Sequence, residues 1–342
     1  MRLGRGSTLV DEAPAAGEKT VLEVRNLVVT VALPDGRRVP VVNDVSFSIP
    51  AGGSMGLVGE SGSGKTMTSL AIMGLLPPAV QVESGQILLE GRDLLKVSPR
   101  ELRRVRGRGM SMVLQDPLTA LDPCFTIGSQ LAEPLRQHRK LKGKALDDAI
   151  VTALEQVHLP ATQDRLNQYP HQLSGGMRQR VTSAIALAGQ PRLLIADEPT
   201  TALDVTTQAR YLELLRELQR NTGFALLLVA HDLMVVRHVC ARVAVMYSGQ
   251  IVEDGPTDEC FGAPRHPYTR ALLAAIPELG DTIRLEAIDG QAPEISEAIS
   301  GCRFAARCKY RRGECDQPPP LSERGAGSHA RCWGTEPNGW IP

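Results

Sequence analysis

The chain has 342 residues, with 38 basic and 38 acidic side chains and 42% hydrophobic residues. That length allows one sizeable core plus a smaller appended unit, and the balanced charge gives no electrostatic case for nucleic acid or an anionic membrane surface as the main partner. No apolar run approaches the ~20 residues of a membrane span.

Residues 1–19 are rich in Gly, Ala and charge and lack an apolar centre, so they read as a disordered lead-in and not as a secretory signal. Val21 to Val29 and Val39 to Ile49 read as strands, with Pro34-Asp35-Gly36 as the turn between them. The apolar run Ser54 to Val58 then enters Gly59-Glu60-Ser61-Gly62-Ser63-Gly64-Lys65-Thr66, which fits G-x-x-x-x-G-K-[ST], and a helical stretch follows from Met67 to Leu76. Glycines let the backbone approach a polyphosphate so that N–H groups form an anion nest, and the following helix turns its N-terminus to the same charge. Lys65 is placed to reach the β- and γ-phosphates and the Thr66 hydroxyl to ligate Mg²⁺.

Gly85 to Gly91 reads as a short strand and Glu101 to Arg108 as a basic helix with a solvated face. Gly109 to Leu114 is apolar and ends in Gln115-Asp116-Pro117. From about 116 to 180 the pattern is helical, with stretches at Ile127 to His138, interrupted by Pro134, and Lys144 to Val157. Leu193 to Ala196 and Ala225 to Ala230 are continuous apolar runs, as expected for strands buried on both faces of a parallel sheet, and the amphipathic stretch Thr207 to Arg220 between them completes a βαβ unit. The first run ends in Asp197-Glu198 and the second in His231-Asp232. Ligands of open α/β sheets bind at such strand ends. Asp197 is placed to hold Mg²⁺ through water, and Glu198 to polarise an attacking water. The Ser-Gly-Gly turn in Leu173 to Arg180 opens a helix and makes a second anion site; because the chain already has one phosphate loop, this second grip implies a site shared with another subunit.

With these features the sequence resembles the ATP-binding-cassette (ABC) ATPases. The resemblance rests on the phosphate loop, Gln115, Leu173 to Met177, Asp197-Glu198, the Ala202-Leu203-Asp204 turn and His231, in that order over Val21 to Pro256. It implies an α/β fold with a P-loop NTPase (RecA-like) core, an N-terminal antiparallel β subdomain and a helical insertion. It also implies roles. Gln115 would sense the γ-phosphate and Mg²⁺ and signal to a membrane partner. Ser174, Gly175, Gly176 and Met177 would close on ATP held by the opposite subunit, with Asp204 at the seam. Glu198 would be the general base and His231 would contact the γ-phosphate. One departure stands out: between Val21 and Ser46 there is no Phe, Tyr or Trp to stack on adenine, which leaves Arg37 or Arg38 to cover the base, or a loosely held base.

Gly262 to Pro277, Gln115 to Pro123 and Gly301 to Cys308 look like the oligopeptide/dipeptide/nickel importer branch. The expected organisation is a cassette over 20–256 and a loop-rich extension over 257–342. The resemblance implies an ATP- and Mg²⁺-dependent ATPase on the cytoplasmic face of the cell membrane. Its partners would be two permease subunits, a second ATPase subunit and an extracytoplasmic solute-binding protein, with no nucleic acid. An exporter ATPase, or a soluble cassette protein of DNA repair or translation, are the alternatives.

Cys302, Cys308, Cys315 and Cys332 have spacings of C-x5-C, C-x6-C and C-x16-C in a loop-rich segment with few apolar residues. Disulfides do not suit a reducing compartment, and the close pairs usual for structural zinc are absent. Four thiolates can ligate an iron–sulfur cluster, with Arg303, Arg307, Arg311 and Arg312 offsetting its charge; zinc and metal-free thiols remain open. The resemblance to importer ATPases, some with a [4Fe–4S] centre, points the same way. Losing one of these cysteines is expected to loosen the tail while sparing nucleotide binding. Cys124, Cys240 and Cys260 read as packing residues.

Overall fold

The computed structural model describes residues 19–276, 288–294, 297, 299–325, 327–335 and 339–341. The lead-in expected over 1–19 lies outside the described residues except for Lys19. Alternating apolar residues build β1 (Thr20–Ala32) and β2 (Arg38–Pro50), which pair antiparallel. β3 (Ser54–Val58) enters the phosphate loop and α1 (Lys65–Met73) leaves it. The strand expected at Gly85 is the second half of a longer one, β4 (Val80–Leu89), because Val80 to Val82 pair with Val29 to Val31 of β1. With β5 (Arg92–Asp93) these strands form an antiparallel sheet in the order β2-β1-β4-β5.

α2 (Pro99–Val105) starts with a capping box between Ser98 and Glu101 and buries none of its residues, as a solvated basic helix should. β6 (Met110–Val113) leads to a helical region made of α3 (Pro117–Ala120), α4 (Ile127–Arg139), α5 (Gly143–Gln156), α6 (Gln163–Asn167) and α7 (Gly175–Leu187). Pro134 does not interrupt α4. It lies on the half-exposed side, while Ile127, Leu131, Ala132 and Leu135 anchor the opposite face and offset the lost backbone hydrogen bond.

β7 (Leu193–Asp197), α8 (Val205–Thr222), β8 (Ala225–Ala230), α9 (Leu233–Val239), β9 (Arg242–Tyr247) and β10 (Gln250–Pro256) follow. β9, β3, β8, β7 and β6 are parallel neighbours in that order, and β10 adds antiparallel to β9. Every residue of β7 and β8 is buried, so the alternating side chains serve two cores. Leu226, Leu228 and Ala230 face the core shared with the helical region. Ala225, Leu227 and Val229 face the core shared with α1 and the antiparallel sheet.

The extension carries α10 (Thr257–Gly262), α11 (Pro267–Ala274), single 3-10 turns at Ala305–Arg307 and Gly313–Asp316, and the two-residue strands β11 (Ser322–Glu323) and β12 (His329–Ala330). β12 pairs with β10 and with β11, so the tail continues the central sheet. The tail also has an apolar anchor that its composition hides. Phe304 is buried, edge-on to Tyr247 at 5.2 Å between ring centroids and tilted against Tyr268 at 5.4 Å. Among the described residues no helix is long and apolar enough to cross a membrane.

Candidate active site at the strand ends

Three parallel strands deliver the chemistry to one edge: β3 ends before the phosphate loop, β7 ends in Asp197 and β8 ends before His231. Gly64 caps α1 with φ 102°, a left-handed conformation, and a Cβ there would stand 2.7 Å from the Val41 carbonyl oxygen. Lys65 is buried. Its ammonium donates to the Gly59 carbonyl at 2.8 Å, to the Glu60 carbonyl at 2.9 Å and to Ser63 Oγ at 3.3 Å. Burial lowers its pKa, against the opposing pull of Glu198, Asp197 and Glu60.

Thr66 Oγ1 donates to Asp197 Oδ1 at 3.4 Å. Burial pushes the Asp197 carboxyl up to about 6, helped by the Glu198 charge and opposed by Thr66 and Lys65. A hydroxyl and a buried carboxylate side by side are hard oxygen donors of the kind that hold Mg²⁺, which keeps several waters and asks few protein ligands. The donor set therefore fits the ion.

Glu198 has a left-handed backbone with φ 45°, and its Oε2 is where the remaining groups meet. Gln115 Nε2 donates to it at 3.0 Å, Thr201 Oγ1 donates at 3.1 Å and His231 Nδ1 lies 3.3 Å away. Gln115, expected beside Mg²⁺, thus turns its amide to Glu198 here. Thr201 was not singled out in the sequence; its position one turn after Glu198, before the Ala202-Leu203-Asp204 turn, was the available signal.

A second group stands apart from this edge. Ser174 Oγ accepts the Met177 N–H at 3.3 Å and caps α7, while Asp204 Oδ1 accepts the Thr207 N–H at 3.0 Å and caps α8. The two helix starts meet closely: a Cβ on Gly176 would lie 2.6 Å from Thr207 Cγ2. Val205 beside them is 84% exposed. Neither Ser174, Gly175, Gly176, Met177 nor Asp204 lines the clefts beside Ser61, Gly62 and Ser63. Those clefts are walled instead by Arg37, Arg38 and Val41 on the strand pair and by Pro293 and Glu294 of the extension. Arg37 is held by Asp35 at 2.7 Å and Arg38 by Thr30 at 3.0 Å.

The four tail cysteines line one small cavity, together with Phe304 and Trp340. Burial pushes the Cys302 thiol up to about 12 and raises Cys308 and Cys332. Among the described residues no group of three or more His, Cys, Asp or Glu is disposed to hold a metal ion. The arginines expected to balance a cluster are engaged elsewhere: Arg303 on the Ser248 carbonyl, Arg307 on Glu60, Arg311 on Asp316 and Arg312 over the Trp340 ring. Cys240 and Cys260 are buried as expected, whereas Cys124 is exposed on the loop before α4.

Comparison with known proteins places this geometry. Residues 42–201 match the ABC transporter family model, and residues 252–315 match the oligopeptide/dipeptide transporter C-terminal region. The dipeptide transport ATP-binding protein DppD of Bacillus subtilis is 47% identical over 316 residues, 92% of this chain and 94% of the relative. The chain belongs to the ABC ATPases of the oligopeptide/dipeptide transporter type. The oligopeptide transport ATP-binding protein OppD of the same species is 44% identical, over 93% of this chain and 90% of its own length. A dimeric ATP-binding cassette solved after hydrolysis with ADP and Pi superposes with TM-score 0.62 at 26% identity, covering 69% of this chain and 98% of its own. The fold is thus the P-loop NTPase cassette expected from the sequence, and the family's cofactors are ATP and Mg²⁺.

Proposed function

We propose that this chain is the ATPase subunit of an importer for peptides or related small solutes, bound at the cytoplasmic face of the membrane to two permease subunits. The observation that carries the reading is the convergence of Gln115, Thr201 and His231 on Glu198 Oε2, next to Lys65 and the Thr66–Asp197 pair. The relatives named for dipeptide and oligopeptide transport support the solute class.

The phosphate loop, Gly59 to Thr66, holds the triphosphate. Lys65 would leave its loop carbonyls to reach the β- and γ-phosphates, and Thr66 with Asp197 would hold Mg²⁺. Glu198 takes the proton of the attacking water, and His231 and Gln115 orient that carboxylate and meet the γ-phosphate. The base lies between the strand pair, at Arg37, Arg38 and Val41, and the extension at Pro293 and Glu294. Ser174 to Met177 and Asp204 act on ATP held by a second ATPase subunit, which suits their exposure away from the chain's own loop. A solute-binding protein outside the membrane completes the assembly, and nucleic acid has no part in it.

Four thiols gathered at one cavity support a structural metal centre, whose binding would draw off protons that burial otherwise retains. Zinc–sulfur bonds of about 2.3 Å demand thiolates packed around one ion, and no such disposition is found among the described residues. The same finding weighs on a cluster, so the [4Fe–4S] centre rests on the cysteine spacing and the family resemblance, with zinc and metal-free thiols as its alternatives. Its contribution is to fix the tail.

The test is reconstitution. The isolated chain is expected to be mostly monomeric and a poor ATPase, with turnover appearing on assembly with permease and partner and tracking peptide uptake into vesicles. Concentration-independent turnover by the monomer would overturn the shared-site reading. Iron and sulfide in matching amounts in anaerobically purified protein support the cluster, and stoichiometric zinc refutes it.

A further inference from the structure

The phosphate loop carries a carboxylate of its own. Glu60 sits in a loop that must receive a polyphosphate, and its charge is near enough to Lys65 to act on it. A bare carboxylate close to a bound phosphate repels it. The chain answers this charge from 247 residues away. Arg307 forks onto Glu60, with Nη1 to Oε2 at 2.8 Å and Nη2 to Oε1 at 3.2 Å. Such two-pronged pairs fix direction as well as charge. The Arg307 side chain is 6% exposed and stands 5.8 Å from the Tyr247 ring centroid, while the Glu60 carboxylate keeps 29% exposure, so the pair is partly shielded from solvent. A further Arg307 nitrogen donates to the Asp289 carbonyl at 3.0 Å. The Glu60 backbone is held as well: its N–H donates at 2.9 Å to the hydroxyl of Tyr268, a fully buried residue on α11.

We propose that Arg307 is a positioning residue for nucleotide binding: it neutralises Glu60 and, with Tyr268, sets the phosphate loop in its receiving shape. The proposal rests on the reading of Gly59 to Thr66 as the triphosphate site. It also gives the cysteine tail a task. Arg307 lies in the 3-10 turn Ala305–Arg307, between Cys302 and Cys308, and Arg303 in the same segment reaches the Ser248 carbonyl. Ser248 precedes Gly249, whose N–H donates to the Ser63 carbonyl at 2.9 Å. Whatever clamps Cys302 and Cys308 therefore aims two arginines at the phosphate loop and its neighbour. The proposal therefore differs from the expectation that loss of a tail cysteine spares nucleotide binding.

The experiment is a double-mutant cycle on the full chain, read as the Kd of a fluorescent ATP analogue with Mg²⁺. Arg307→Ala is expected to weaken binding about tenfold or more. Glu60→Gln alone measures what the loop carboxylate contributes and is the reference for the double variant. The double variant Glu60→Gln/Arg307→Ala should recover most of the loss, because the charge that Arg307 answers is gone. Arg307→Lys should fall between, keeping charge without the fork. In the assembled transporter the Arg307→Ala effect should appear in the KM for ATP far more than in kcat. An unchanged Kd in Arg307→Ala overturns the proposal. So does a loss that Glu60→Gln does not relieve, which would mark Arg307 as merely structural. Lys65→Ala separates the two readings. If it too leaves the Kd unchanged, the triphosphate site itself is misassigned. If it weakens binding while Arg307→Ala does not, the failure belongs to Arg307 alone.

Discussion

The phosphate loop is held from two sides by different physics. On the cassette side, β3, β7 and β8 are buried apolar strands, and their packing fixes where Lys65, Asp197, Glu198 and His231 emerge. On the extension side, buried strand residues are few among the described residues; Phe304 and a buried arginine fork anchor the tail, and four thiols gather at one cavity. The first arrangement is set by the volume of the core and tolerates no adjustment. The second rests on a charged pair and, if the proposed centre forms, on the ligation of cysteines, so it should respond to conditions that leave the core untouched. On the proposed reading, chemistry belongs to the rigid side, and grip on the nucleotide is shared with the responsive one.

This division can be broken experimentally, first on the rigid side. Glu198→Gln keeps the shape but removes the base, so ATP turnover by the assembled transporter should fall by about 10²–10⁴ while ATP binding persists and the closed dimer accumulates. Full ATPase activity in that variant would remove Glu198 from its role. Lys65→Ala should act on binding itself, with ATP affinity lowered by roughly two orders of magnitude, since a buried cation facing the phosphates is lost; equilibrium binding reads this directly.

The responsive side should give smaller effects of a different kind. Replacing Cys302 or Cys308 by Ser is expected to raise the ATP Kd severalfold, toward but not beyond the Arg307→Ala value, because the turn carrying Arg307 loses its clamp. Limited proteolysis should show the extension cut earlier while 20–256 stays intact. If ATP affinity is unchanged and only the tail loosens, the two sides are independent. The smallest effect concerns the base. Without an aromatic ring, stacking worth about 1–3 kcal/mol per base is missing, so ATP, GTP and CTP should bind within about tenfold of one another. Strong preference for ATP would show that Arg37, Arg38 or the Pro293–Glu294 segment reads the base edge.

The two regions also differed in how far they could be read beforehand. β7 and β8 announced themselves as unbroken apolar runs, and the residues that follow them landed at one edge, because parallel strands buried on both faces leave little choice. Pro134 misled, since a local backbone preference was outweighed by Leu131 and Leu135 on the opposite face. Gln115 was placed near the site, but its Glu198 partner depends on a rotamer that no spacing reveals. The tail was least legible. Its arginines looked like counter-charges for the nearest cysteines, yet Arg307 turns to Glu60, and a pairing across so long a stretch of chain leaves no periodic trace. Composition counted Phe304 as one aromatic among polar residues, and only the fold shows Tyr247 and Tyr268 waiting for it.

The pairing of Glu253 with Ala330 and of Asp254 with His329 is short, but it covers the outer side of β10. A polypeptide ending before Ser322 would present that strand's unsatisfied amides and carbonyls to any other molecule with a free strand. During synthesis the cassette emerges before its cover, so newly made chains pass through a sticky interval. The brief β11 and then the two residues of β12, which pairs with both β11 and β10, close it. Versions of this protein shortened before Ser322 should therefore aggregate more readily than the full chain even where their nucleotide chemistry is sound.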